Sequence, residues 1–169
     1  MTPNAQQGVL PDSGRPGRGR RLGVDVGKVR VGVAISDPDG ILATPLATVP
    51  RDVSPPPPDD ETWVPSDVAE LARLVAEHEV VEVIVGLPVT LAGTESYAAE
   101  YVRSYAQVLA RAVAPVPVLL TDERMSTAAA TRRLSERGVR GGRRRAVVDQ
   151  AAAVEILQGW LDAARRRHA

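Results

Sequence analysis

Arg21-Leu22-Gly23-Val24-Asp25-Val26-Gly27-Lys28-Val29-Arg30-Val31-Gly32-Val33-Ala34-Ile35-Ser36 is the stretch on which the fold turns. Arg21–Asp25 reads as a short apolar strand and Arg30–Ser36 as a second, rich in Val and Ile. Val26-Gly27-Lys28-Val29 between them is a tight turn, so the domain opens on a hairpin. Asp25, flanked by Leu22, Val24 and Val26, is costly to desolvate unless a cation or hydrogen-bond donors meet it. A turn-forming Asp at a strand end is the simpler account of the same residue.

Outward from the hairpin the pattern alternates. Ile41–Val49 reads as a third strand, with Pro45 as an awkward member. Val68, Leu71, Ala72 and Val75 recur at helical spacing behind the cap candidate Ser66. Val81–Val85 is a continuous apolar strand of the kind covered on both faces. Thr94 can cap a helix whose stripe is Ala98, Tyr101, Val102, Tyr105, Leu109 and Ala112, and Pro115 ends it. Val116–Leu120 is another buried strand. A helix over Ser126–Arg137, a Gly- and Arg-rich loop over 139–145, and a last helix with Ala153, Ile156, Leu157, Trp160 and Ala164 on one face complete the chain. The order β-β-β-α-β-α-β-α-α predicts an α/β domain, a mixed five-stranded sheet with helices on both faces.

Residues 1–20, rich in Gly, Pro and Arg, read as a disordered leader to a single domain over 21–169. Residues 50–66 hold six prolines, Pro55–Pro58 consecutively, and read as an exposed, poorly ordered insertion loop, since such a run cannot be helix interior. With 169 residues, 44% of them hydrophobic, the chain can bury a core. It has no Cys, which excludes disulfides, thiol catalysis and thiolate zinc sites. His78 and His168 are its two histidines, so metal chemistry must use carboxylates and a hard cation. No apolar run is long enough for a membrane span or a signal peptide, which predicts a cytoplasmic protein with no membrane partner. Nothing fixes an oligomeric state, and a homodimer is compatible with the sequence.

The formal charge is zero but uneven. Residues 21–120 carry seven basic and fourteen acidic side chains, whereas residues 121–169 carry eleven Arg against six acids. Such a basic third is either a phosphate-facing surface or a preference for Arg, which supplies 20 of the 21 basic residues.

Two further acidic positions stand out. Asp122 and Glu123 follow the Val116–Leu120 strand, where ligands bind in open α/β sheets. Neighbours on a strand face opposite ways, so one of the two can join Asp25; the other reading is a capping acid ahead of Ser126. Asp149 lies four, seven and eleven residues before Ala153, Ile156 and Trp160, on the core-facing stripe near the start of the last helix. Three converging carboxylates repel one another, and two Mg2+ ions would offset that charge and suit phosphodiester hydrolysis.

Four segments carry a family resemblance. Leu22 to Ala34 resembles the opening motif of the YqgF/RuvX family, the Holliday-junction-resolvase-like proteins associated with pre-16S rRNA processing. Val83-Ile84-Val85-Gly86-Leu87-Pro88 with Ala92-Gly93-Thr94-Glu95 resembles its second motif, Asp122-Glu123-Arg124-Met125-Ser126-Thr127 its third, and Val148-Asp149-Gln150-Ala151-Ala152-Ala153 its fourth. They occur in the family's order and cover roughly 21–162. The resemblance implies an RNase H-like fold and a Mg2+- or Mn2+-dependent nuclease with Asp25, Glu123 and Asp149 as catalytic, metal-binding carboxylates. It thereby favours Glu123 over Asp122. Val26 stands where an aromatic is common, Gln150 where a small hydroxyl residue is frequent, and the Pro-rich insertion is long; these departures bear on substrate fit, not on the carboxylates.

Lys28, Arg30, Arg124, Arg140, Arg143, Arg144 and Arg145 are the candidate contacts to a nucleic-acid backbone. The family's usual role makes 5′-end maturation of pre-16S rRNA the first expectation and resolution of four-way DNA junctions the second. A non-catalytic nucleic-acid-binding module is a third reading. An actin-like ATPase or sugar kinase, which Asp25-x-Gly27 with Gly32 also resembles, needs a second lobe for which the chain has no room.

Overall fold

The opening hairpin forms as the sequence predicts: β1 (Arg21–Val26) is buried along its whole length and runs antiparallel to β2 (Arg30–Ser36). The computed structural model describes residues 17–89, 97–123 and 142–168, with side chains from 146 onward in the last segment. Strand β3 (Ala43–Pro50) adds to β2 antiparallel, and β4 (Glu82–Leu87) and β5 (Val118–Asp122) add to the other edge of β1 in parallel. The sheet order is β3-β2-β1-β4-β5, so the hairpin's first strand is central.

Strand alternation divides the core between two faces. Leu22, Val24, Val31, Val33, Val83 and Val85 point to one face, against α1 (Ser66–Glu77) and α2 (Tyr97–Val113). Ala34, Ala43 and Ile84 point to the other, against Ala153, Ile156 and Leu157 of α3 (Gly142–Arg167). Leu22, Leu71, Leu109 and Leu157 are fully buried, each such side chain contributing about 1.5–3 kcal/mol. The predicted mixed sheet with helices on both faces is therefore what forms. Among the described residues no helix is long and apolar enough to cross a membrane.

Several local expectations shift. Pro45 is accommodated because β3 is an edge strand and its register slips between Val33 and Ala34. Ser66 is not a cap: it is the first residue of α1, and its N–H donates to Asp52 Oδ2 at 2.8 Å. Asp52 Oδ1 also accepts the Ser54 N–H, so one carboxylate closes the base of the Pro-rich loop and caps a helix fourteen residues away. On α2, Ala98 and Tyr101 are exposed, and the buried stripe is Ala99, Val102, Tyr105, Ala106, Leu109 and Val113. Gly142 starts α3, so Arg143, Arg144 and Arg145 belong to its first turn and not to a loop. The helix expected over Ser126–Arg137 lies outside the described residues, as do residues 1–16 of the expected leader. Residues 17–20 are fastened to the sheet: buried Arg21 donates to the Gly17 and Gly19 carbonyls, and the Arg20 carbonyl accepts the Val81 N–H.

Candidate active site

Asp25 projects from the centre of the sheet toward α3. In an antiparallel pair, directly opposed residues share a face. Asp25 opposes Gly32, and a Cβ at Gly32 would meet the Asp149 carbonyl oxygen of α3 at 2.0 Å. The helix backbone at Asp149 thus lies directly on Gly32, beside Asp25. Asp25 is 3% exposed and engaged by neighbouring groups.

The strand register also separates Asp122 from Glu123. Asp122 opposes Leu87, whose side chain belongs to the core under α1 and α2. Asp122 therefore faces away from α3, and Glu123, one residue on, faces toward it. Its Cγ lies 3.3 Å from where a Cβ of Gly86 would stand, and Glu123 is 5% exposed. Asp25, Glu123 and Asp149 thus lie on one face, toward the carboxyl ends of β1 and β5. Among the described residues no three of His, Cys, Asp and Glu form a group that could hold a metal ion, so these carboxylates do not stand as a closed ligand cluster.

Three glycines make this face shallow. A Cβ at Gly23 would meet Leu157 Cβ at 2.6 Å, one at Gly86 would meet Ile156 Cδ1 at 2.5 Å, and Gly32 abuts backbone. Together they let α3 settle on β1, β2 and β4. Thr48, opposite Gly32 on β3, then ties the helix down: its Oγ1 donates to the Ala146 carbonyl at 2.9 Å and accepts from Gln150 Nε2 at 2.8 Å. Gln150, a departure from the family pattern, is thus accounted for by a partner on β3.

Asp149 sits about two turns into α3, deeper than the sequence implied, because the helix begins at Gly142. The helix dipole is felt within the first turn, so it does little for this carboxylate. Arg30 does more: its Nε donates to Asp149 Oδ2 at 3.1 Å, both side chains being 25% exposed. Lys28 is exposed on the β1–β2 turn. Arg124 and Arg140 lie outside the described residues, and Arg143, Arg144 and Arg145 are placed by their backbone alone.

Sequence reasoning missed Thr48 and Gly23. A lone Thr in an edge strand carries no local signal. The glycines did carry one, since Gly23 and Gly32 fall on the same face of the hairpin as Asp25 once its register is known.

A central strand in a mixed five-stranded sheet, carrying an acid toward a C-terminal helix that carries another, defines an α/β domain of the RNase H-like class. The fold is similar to that of T. thermophilus RuvC in complex with a Holliday junction substrate, with a TM-score of 0.54 at 18% identity over 89% of this chain and 97% of that one. The family model RuvX, described as Holliday junction resolvase, matches residues 19–163, and this chain belongs to that family. Relatives agree. A protein of Mycolicibacterium smegmatis named "Putative pre-16S rRNA nuclease" is 56% identical over 92% of this chain and 87% of its own length. One of the same name from Rhodococcus erythropolis is 53% identical over 93% of this chain and 86% of its own length.

Proposed function

We propose that this chain is a divalent-metal-dependent nuclease that hydrolyses phosphodiester bonds in structured nucleic acid, and that its substrate is the 5′ end of pre-16S rRNA. The observation that carries the chemistry is the close seat of Asp149 on Gly32, directly beside Asp25, with Glu123 on the same face. The relatives' shared name supports the RNA substrate.

The donor set fits a hard cation in chemistry, being all carboxylate oxygens with no sulfur or imidazole. In geometry it is incomplete, since the described residues hold no ready cluster of three and Asp149 is paired with Arg30. Asp25, Glu123 and Asp149 are the residues that would hold Mg2+ or Mn2+. A divalent cation supplies the charge that eases water deprotonation and leaving-group departure. The chain's own residues supply placement: Asp25 from a rigid buried strand, and Arg30 and Lys28 from a turn where a phosphate can be met. Three Arg in the first turn of α3 add positive charge at a helix N-terminus, which also favours phosphate.

The test is cleavage of a precursor-like RNA and of a four-way DNA junction, each with Mg2+ or Mn2+, by the wild type and Asp25→Asn. RNA cleavage that needs metal and falls about a hundredfold or more in the variant is expected. Equal activity of the two proteins would refute the assignment. Preferential junction cleavage would move the substrate to branched DNA, as the family model's description has it. Binding unaffected by EDTA, with neither substrate cut, would leave a non-catalytic module.

A further inference from the structure

The β1–β2 turn carries Lys28 and Arg30, yet little holds it from within. Its closing bond is Gly27 N–H to the Arg30 carbonyl at 2.9 Å, and Lys28 and Val29 are exposed. Residue 27 must be glycine, since a Cβ there would lie 2.6 Å from that same carbonyl oxygen.

Arg51, the residue after β3, fastens the turn from outside at two points. Its backbone N–H donates to the Val29 carbonyl at 2.9 Å, and its Nη1 donates to the Gly27 carbonyl at 3.0 Å. Its Nε donates to Asp67 Oδ2 at 2.9 Å, and that side chain is fully buried on α1. The guanidinium lies over the rings of Tyr101 and Tyr105 of α2, at 5.0 and 4.8 Å from their centroids. Tyr105 OH donates to the same Asp67 oxygen at 3.1 Å. Burial and the Asp67 charge push the Tyr105 hydroxyl pKa well up, so it stays a donor at any physiological pH. The Arg51 side chain is 8% exposed and meets two helices and the turn at once.

The Arg51 guanidinium is paired with Asp67 Oδ2, bonded to the Gly27 carbonyl and stacked on two rings, while Asp67 Oδ1 is buried with no hydrogen-bond partner among the described residues. Replacing such a pair with apolar groups is often neutral for stability, so what this pair does is sought in placement. The turn's two carbonyls flank Lys28, and Arg30, next to Val29, reaches across to Asp149. The path runs from Asp67 through Arg51 and the turn to Arg30 and the proposed metal-binding carboxylate.

We propose that Arg51, anchored by Asp67 and Tyr105, is a positioning residue that sets the β1–β2 turn and, through it, the placement of Arg30 against Asp149 for phosphodiester cleavage. This deepens the function proposed above and rests on it for its catalytic consequence. The geometric part does not depend on it. Lys cannot replace Arg at such a position, since one ammonium does not reach Asp67, Gly27 and two ring faces in a fixed fork.

The test uses the full chain as wild type and as Arg51→Met/Asp67→Asn, which removes both charges together and leaves Tyr105 an acceptor. Two readouts are taken: amide exchange at Gly27 and Arg51 by NMR, and kcat and KM for the cleaved substrate. The expected result is a folded variant in which those amides exchange about tenfold faster or more while the central-strand amides stay protected. Its kcat falls about tenfold or more, a larger change than any rise in KM, since Lys28 and Arg30 keep their charge and lose their placement. Unchanged exchange at Gly27 and Arg51 overturns the proposal, and so does wild-type kcat. Should the double variant fail to fold, Arg51→Lys, which keeps a charge beside Asp67, carries the same two readouts with the same outcomes. Should the wild type cut neither substrate, the functional reading fails alone, and the exchange measurement still decides the positioning.

Discussion

Gly32→Ala is a demanding perturbation, because its methyl would strike the backbone of a helix remote in sequence and not a side chain. The new Cβ would stand 2.0 Å from the Asp149 carbonyl oxygen, 2.4 Å from its carbonyl carbon and 3.1 Å from the Gln150 nitrogen. None of these atoms can rotate away, and relief to an ordinary separation of roughly 3.2–3.5 Å requires α3 to withdraw by about 1 Å or more. The Thr48 to Ala146 bond at 2.9 Å and the Gln150 to Thr48 bond at 2.8 Å would then stretch beyond useful length. Overpacking at about 1–3 kcal/mol and two weakened hydrogen bonds at about 1 kcal/mol each give a loss of about 3–5 kcal/mol. For a chain of this size that is a fall in Tm of roughly 6–20 °C. Gly86→Ala is the internal control: its Cβ meets the far end of a side chain, Ile156 Cδ1 at 2.5 Å, so rotamer adjustment holds the loss to the lower part of the overpacking range, about 1–2 kcal/mol. Gly23→Ala falls between, facing Leu157 Cβ at 2.6 Å and the Ala153 carbonyl oxygen at 3.0 Å. Thermal and urea unfolding followed by far-UV circular dichroism measures all three. A Gly32→Ala protein that melts with the wild type, or above Gly86→Ala, would sink the claim that close approach of α3 depends on this glycine.

Thr48→Val removes both side-chain bonds to α3 without changing shape, and is expected to cost about 1–2 kcal/mol in urea unfolding; no change in the midpoint counts against the Thr48 tether. Asp52→Asn tests the cap made across the Pro-rich loop. The Ser66 amide, foremost, holds the Asp52 carboxyl well below the usual carboxylate range. Its stabilisation is therefore complete above the unfolded value of about 3.9 and is lost as pH falls below it toward the folded one. The variant should show a shallower loss of Tm than the wild type between about pH 4 and pH 2, and parallel acid limbs would contradict the cap. Mn2+ should raise the Tm of the wild type in a concentration-dependent way and that of Asp25→Asn far less, as binding to the native state alone requires; equal shifts would place the ion elsewhere.

Much of the molecule was legible in the residues because it is encoded locally. The two-residue period of Leu22, Val24 and Val26 and the helical spacing of Ile156, Leu157, Trp160 and Ala164 arise from single-element geometry, which short-range sequence carries. Asp25 and the Asp122-Glu123 pair stand at strand ends for the same reason, whereas Asp149 lies two turns inside its helix. Other features were decided only when elements met. Strand periodicity does not separate Asp122 from Glu123; the family resemblance favours Glu123, and the physical reason appears only when β5 pairs with β4 and its phase sends Glu123 toward α3. Ser66 looked like a cap until the chain closed on Asp52, fourteen residues earlier. Arg51 was one Arg among twenty until it met Asp67 on α1 and two tyrosines on α2. Local pattern determines which elements exist and which side of each is apolar, because backbone period and side-chain hydrophobicity act within a few residues. Register, partner and distance belong to the tertiary structure, because they are set where surfaces remote in sequence exclude water and each other, and no short stretch of chain contains both sides of that contact.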